Sequence, residues 1–218
     1  MKIIALADIH GCLDYLDGIA ADLAAADIVL LAGDITNFGA QSQANRVISA
    51  LEAHNPNILA VHGNCDLPAV EEYLDACQIS LDHCCKTVRG LAFAGLGGSL
   101  PCPGATPNES AEGVLSARLE QLKAAVAAAG AFVFVSHQPA WGTAVDGLES
   151  RHTGSRAIRQ FILETRPILA VSGHIHEAVA TDMLGATLLL NPGPFRQGRC
   201  AVIEIDDNRV VDARLITC

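Results

Sequence analysis

A chain of 218 residues is long enough to bury one well-developed core. Half of the residues are hydrophobic and only 17% are charged, a balance that suits buried strands covered by alanine-rich helices. The net charge of −10 argues against broad electrostatic binding to nucleic acid or an anionic membrane, and no apolar stretch is long enough to span a bilayer.

Met1-Lys2 leads straight into a strand-like run with no cleavage-site pattern, so a cytoplasmic location is expected. The cysteines (Cys12, Cys65, Cys77, Cys84, Cys85, Cys102, Cys200 and Cys218) contain no Cys-x-x-Cys pair and read as reduced thiols, most packing as small hydrophobes. In chain order, an apolar run at residues 3–7 ends in Asp8-Ile9-His10-Gly11. In an extended backbone Asp8 and His10 point to the same side and can converge on one point. Helical spacing follows over 13–25, then a buried strand at 28–31 ending in Gly33-Asp34. A helix at 41–53 precedes a strand at 58–61, which ends in His62-Gly63-Asn64-Cys65-Asp66, and a short helix spans 69–77.

Residues 87–88 and 91–95 read as hairpin-like strands, and the Gly- and Pro-rich stretch 97–108 as a long loop. The helix at 110–129 leads to a strand at 131–135 ending in Ser136-His137-Gln138-Pro139. A loop at 140–152 and a helix at 154–165 come before a strand at 168–171, which ends in Gly173-His174-Ile175-His176. Three strands at 187–190, 200–205 and 210–216 read as a closing meander. No linker or repeat interrupts residues 1–218, so one domain is expected, with two sheets sharing a core.

Five apolar runs thus each end in groups suited to metals: Asp8 and His10, Asp34, Asn64, His137, then His174 and His176. In a parallel sheet the carboxyl ends of the strands line one edge, where ligands bind. A satisfied core histidine explains any one of these residues but not four histidines placed after strands. Imidazole, carboxylate and amide oxygen suit manganese, iron, zinc or nickel.

The ordered motifs closely resemble those of the calcineurin-like metallophosphoesterase superfamily, and its small bacterial and archaeal branch with Cys in the Gly-Asn-His/Cys-Asp motif. Asp8-x-His10, Gly33-Asp34, Gly63-Asn64-Cys65-Asp66, His137 and Gly173-His174-x-His176 carry the resemblance, and Asn191-Pro192-Gly193-Pro194 extends it into the tail. The resemblance implies an α/β fold, a four-layer αββα sandwich of two mixed β-sheets flanked by helices. It also implies a binuclear centre of two divalent metal ions, with manganese the first choice. Asp8, His10 and His176 would hold one ion, and Asn64, His137 and His174 the other. Asp34 would bridge them. The implied reaction is attack on phosphorus by a hydroxide shared between the ions, hydrolysing a small phosphate ester or diester. Asp34, Asn64, His137 and Cys65 would then be the catalytic set, with Asn64 also touching substrate.

The departure is Cys65, where many members place a His that protonates the leaving oxygen. A thiol suits that role less well than imidazole at neutral pH. Cys65 is either a packed, protonated thiol or a metal-bound thiolate. His62 and His152 are candidate replacement acids, though each also reads as a surface or capping residue. The stretch from Ser136 through Asp146 to Arg156 resembles a branch with a Ser-His-x-Pro loop followed by a Gly-Ser-x-x-(Ile/Val)-Arg helix. Thr153 or Ser155 would cap that helix, leaving free N–H groups for an anion, with His152 and Arg156 touching substrate phosphate. An ordinary capped helix with solvent-facing charges is the alternative. Glu177 reads as a support for a metal ligand.

The main expectation is a phosphoesterase, phosphodiesterase or phosphatase. The alternatives are a nuclease or nucleotide-specific hydrolase, and a non-catalytic interaction module of this fold, as in the retromer's metallophosphoesterase-like subunit. The single Trp and two Tyr offer little for stacking on a nucleic acid strand. Apolar edge strands in the tail permit a homo-oligomer.

Overall fold

The computed structural model describes residues 1–218. One sheet is built from β1 (Lys2–Leu6), β2 (Ile28–Ala32) and β3 (Ile58–Val61), which run parallel. Its connections carry α1 (Ala20–Ala25), α2 (Gln41–Glu52) and, after β3, α3 (Pro68–Ala76). The second sheet takes β4 (Cys85–Val88), β5 (Leu91–Leu96), then α4 (Glu112–Val126) and β6 (Phe132–Ser136). A small hairpin of β7 (Gly147–Leu148) and β8 (Arg151–His152) follows, then α5 (Arg156–Thr165) and β9 (Leu169–Val171).

The tail corrects the expected meander. The hairpin β10 (Ala180–Leu184) and β11 (Thr187–Asn191) joins the second sheet, with β11 parallel to β9. The chain then crosses to the first sheet, where β12 (Arg199–Asp206) runs antiparallel to β1 and pairs with the edge strand β13 (Arg209–Thr217). The strand orders are β13-β12-β1-β2-β3 and β10-β11-β9-β6-β5-β4. β10 gives little sequence signal because Thr181 and Met183 on this edge strand are exposed and no apolar run marks it.

Strand alternation explains the layering. In β1, Ile3 and Ala5 face the other sheet, meeting a shared interior that includes Leu30, Val61, Phe93, Val133, Val171 and Leu190. Ile4 and Leu6 face the opposite way and pack with Val47, Ile48, Leu51, Val70 and Leu74 of α2 and α3. On the outer face of the second sheet, Phe132 and Phe134 meet Leu115, Leu119, Phe161 and Ile162 of α4 and α5. The rings of Phe134 and Phe161 lie 4.8 Å apart, centre to centre. The result is the α/β/β/α sandwich that the motifs imply.

The helix expected over 13–25 is shorter. Only a 3-10 turn at Asp17–Ile19 and α1 form, because Asp14, Asp17 and Gly18 are poor helix residues and Gly11 turns the chain at φ +73°. No helix is long and apolar enough to cross a membrane.

Candidate metal centre

The seven sequence-identified residues leave five strands of two different sheets, not one edge of one sheet. β1, β2 and β3 deliver Asp8, His10, Asp34 and Asn64 from the first sheet; β6 and β9 deliver His137, His174 and His176 from the second. The simple alternation argument for Asp8 and His10 also needs correction. β1 ends at Leu6, and both residues sit at positive φ, 52° and 48°, as do Asp34 at 50° and His174 at 69°. Convergence comes from left-handed turns after the strands. Each such non-glycine residue stores about 1–3 kcal/mol of backbone strain, a cost that the surrounding packing must offset.

Asp8 is fully buried, and its carboxylate accepts the His174 backbone N–H at 3.1–3.2 Å and faces His176 Nε2 at 3.3 Å. Asp34 Oδ2 lies 3.6 Å from His10 Nε2, and Asp34 Oδ1 lies 3.5 Å from His137 Nε2. The Cys65 N–H donates to Asp34 Oδ1 at 2.8 Å, which fixes the carboxylate. Asn64 Oδ1 lies 2.8 Å from His137 Nε2, while Asn64 Nδ2 donates to Thr106 Oγ1 at 3.0 Å. His174 stacks edge-on against His137, ring centres 5.0 Å apart.

Two glycines allow this close approach. A Cβ on Gly33, which sits at φ +87°, would stand 2.4 Å from His137 Nδ1. A Cβ on Gly63 would stand 2.1 Å from Asp34 Oδ1. The Gly-Asp and Gly-Asn motifs therefore keep space for the polar residues beside them.

The charges are strongly perturbed. Burial works against ionisation of Asp8, but its hydrogen bond with His176 and the surrounding imidazoles outweigh it and hold the carboxyl below the usual range. Burial pushes Asp34 up, with Asp8 adding to the effect. Burial pushes His10 down to about 4 and His174 down to about 3. Burial also opposes a charge on His137, but Asp34 and Asp8 win and raise it.

Three sets of donors, Asp8–His10–His176, His10–Asp34–Cys65 and Asp8–Asp34–His137, each lie within 4.8 Å of one another. The donor set fits metal ions on an independent ground. Both ring nitrogens of His10 are buried without a hydrogen-bond partner. His137 faces acceptors on both sides, Ala32 O at 2.8 Å from Nδ1 and Asn64 Oδ1 from Nε2. A neutral imidazole has one N–H and cannot satisfy both; a protonated ring, which Asp34 and Asp8 favour, would, and so would a ring whose Nε2 binds a cation.

A family model described as calcineurin-like phosphoesterase matches residues 1–178. The chain belongs to the calcineurin-like phosphoesterase family. The uncharacterized protein MJ1162 of Methanocaldococcus jannaschii is 32% identical over 199 residues, covering 89% of this chain and 88% of that one. The fold is similar to that of TT1561 of Thermus thermophilus, with TM-score 0.79 and 18% identity over 99% of this chain and 98% of that one. It is also similar to that of an archaeal phosphodiesterase, with TM-score 0.58 and 16% identity over the whole of both chains.

Within this phosphoesterase frame, the remaining candidate residues fall in different places. Cys65 is buried, its Sγ grouped with His10 and Asp34, and burial followed by the Asp34 charge pushes the thiol up. His152 Nδ1 pairs with the buried Asp146 Oδ1 at 2.8 Å, and its ring lies edge-on to Trp141. The Arg156 guanidinium stacks 3.7 Å over the Trp141 ring. Ser155, not Thr153, caps α5 by accepting the Ile158 N–H. The expected free N–H groups there are largely taken, because the Glu112 carboxylate accepts from Ala157 N and Ser155 Oγ, both at 2.6 Å. Glu177 is exposed; the group that reaches a candidate ligand is Arg196, whose Nη2 lies 3.2 Å from His176 Nδ1.

His62 joins none of the three donor sets around Asp8 and Asp34. A residue given no separate role in the motif reading is Asp66. Fully buried, it accepts from the N–H groups of Ile35, Thr36 and Gly63 and from the Thr36 hydroxyl, so it ties the β2 and β3 exits together. Its place in Gly63-Asn64-Cys65-Asp66 was the available signal.

Proposed function

We propose that the protein is a binuclear metal-dependent hydrolase of a small phosphate ester or diester, and that residues 1–218 act as one domain. The observation that carries this reading is the convergence of Asp8, His10, Asp34, His137 and His176 on one largely buried cluster in which His10 has no other partner, with the Asn64 amide oxygen and the His174 ring set against His137. Asp8, His10 and His176 would hold one divalent ion, and Asn64, His137 and His174 the other, with manganese the first choice and iron, zinc or nickel also compatible. When bound, the pair supplies Lewis-acid stabilisation of phosphoryl charge and lowers the pKa of water toward neutrality.

The chain's own groups prepare this chemistry. Asp34 turns one carboxylate oxygen toward His10 and the other toward His137, the arrangement a bridging ligand needs. Burial keeps His10 and His174 neutral, so their lone pairs are free at neutral pH. Thr106 fixes the Asn64 amide with its oxygen turned toward His137. Cys65 is held protonated by burial and by Asp34, which makes it a weak proton donor to a leaving oxygen. Aryl phosphates and phosphodiesters with acidic leaving groups are therefore the expected good substrates. His152 and Arg156, in the loop and helix after His137, are the proposed substrate-phosphate contacts. All eight cysteines are free, which supports a reducing compartment such as the cytoplasm.

The test combines metal analysis with hydrolysis of bis-p-nitrophenyl phosphate in the presence of Mn2+. At least two ions per chain and metal-dependent turnover are expected, with turnover lost in Asp8→Asn while the fold is retained. Full metal loading without turnover on any phosphate monoester or diester would favour a binding module instead. Equal rates on alkyl and aryl monoesters would remove the argument from Cys65.

A further inference from the structure

A second cluster of ligand-type side chains shares no residue with the centre above. His62 stands at the exit of β3, and Glu71 in the first turn of α3. Asp82 follows a short extended segment that runs beside β3, with Ser80 bridged to Ala60 and Leu81 N–H donating to Ala60 O at 2.8 Å. One ring nitrogen of His62 and one carboxylate oxygen from each acid lie within 4.8 Å of one another.

Four features separate this cluster from ordinary surface acidity. His62 is 3% exposed, yet its Nδ1 atom has no hydrogen-bond partner and so bonds to neither carboxylate. Buried polar atoms are normally satisfied, and an orphan asks for an explanation. The ring is also clamped: a Cβ on Gly97 would stand 2.4–2.7 Å from three of its atoms, so only glycine leaves it room. The Asp82 side chain is 4% exposed and oriented by the Gly97 N–H at 2.6 Å and His83 Nε2 at 3.2 Å, leaving lone pairs on both oxygens. A polar cleft of about 140 Å³, lined by no hydrophobic residue, reaches His62 and Glu71 from solvent. Arg118 also lines this cleft and opposes a cation there electrostatically.

We infer that His62, Glu71 and Asp82 form a third divalent-cation site. One imidazole and two carboxylates suit Zn2+, Mn2+ or Fe2+, with the cleft leaving a coordination position open to water. The two carboxylate charges balance the ion, and a buried imidazole with an unpartnered Nδ1 completes the donor set. An ion held there ties the β3 exit to α3 and to the segment before β4. Asn64 leaves β3 two residues after His62, so the site stiffens the turn that carries a candidate ligand of the catalytic centre.

The test uses Zn2+ as the probe on the full chain, with stoichiometry from calorimetry and metal analysis and the His62 ring followed by NMR. Wild type is expected to bind one ion more than Glu71→Gln, or to bind that ion roughly tenfold or more tightly, and the His62 signal should shift on its binding. Glu71 is half-buried on a helix surface, so its substitution keeps the fold; Asp82→Asn provides the second variant. Arg118→Gln should leave the site intact or tighten it. Asp8→Asn, which weakens the proposed catalytic centre, should leave the His62 response unchanged, and this separates the two readings. Equal stoichiometry and affinity in wild type and Glu71→Gln, without a His62 shift, would overturn the inference.

Discussion

Nε2 of His137 lies 2.8 Å from Oδ1 of Asn64, while Nδ1 of the same ring lies 2.8 Å from the carbonyl oxygen of Ala32. Both neighbours are acceptors, so a neutral His137 leaves one contact unfavourable. A cation held by Nε2 and Oδ1 would resolve the conflict, with Nδ1–H still donating to Ala32. Asn64→Ala removes one of the two. The variant is expected to bind one ion fewer than wild type by metal analysis and to lose roughly 10–100-fold or more in turnover. A fully loaded and active Asn64→Ala protein would contradict the assignment.

Gly33→Ala tests the space behind His137. The new Cβ would stand 2.4 Å from Nδ1 on a backbone at φ +87°, so strain and displacement act together. A loss of about 2 kcal/mol or more in urea unfolding is expected, together with weaker ion binding. Gly130→Ala is the control. It carries the same backbone objection at φ +70° but meets no atom within 4 Å, so about 1 kcal/mol is expected and no effect on ions.

The metal-stripped chain should be acid-sensitive in a defined window. His10 and His174 have folded pKa values of about 4 and about 3, below the reference value of 6.5. Folding therefore favours their neutral forms. Their contribution is complete above about 6.5 and is lost as pH falls toward 4 and 3. His137, raised in the fold, acts in the opposite sense and offsets part of this loss. Thermal melts of the EDTA-treated chain should fall steadily below pH ~6.5. A flat profile down to pH ~4 would show that these imidazoles are not buried neutral.

Asp146 organises the loop that carries His152. Its oxygens accept from the N–H groups of Thr143 at 2.8 Å and of Gly142 and Gly154 at 3.0 Å, and it is fully buried. Asp146→Ala leaves these donors unpaired and frees the His152 ring, at a cost of about 1–3 kcal/mol per unsatisfied group. A lower melting temperature and a raised KM with a smaller change in kcat are expected. Asp146→Asn, which keeps one acceptor, should recover part of both. Unchanged KM in Asp146→Ala would separate this loop from substrate binding.

The strand ends were readable because an apolar run stopping at Asp8, Asp34, Asn64, His137 or His174 is a local pattern, and the motif order named the family. Two sheets sharing a core were readable from the βα pattern, while the four layers came from the family resemblance. The β10 edge and the shortening of the 13–25 helix to α1 were not readable, because polar edge residues and acidic turns leave little periodicity.

By itself the sequence determined which residues stand after which strands, and hence the donor chemistry. Tertiary structure alone decided that those strands split between two sheets and that Asp8, His10, Asp34 and His174 adopt left-handed backbones. It also decided that Glu112 occupies the start of α5 and that β12 returns to pair with β1. The physical reason is range. Periodicity and motif spacing act over a few neighbouring residues. Sheet partnership, strained turns and the pairing of Glu112 with Ala157, 45 positions apart, depend on contacts that no local pattern encodes.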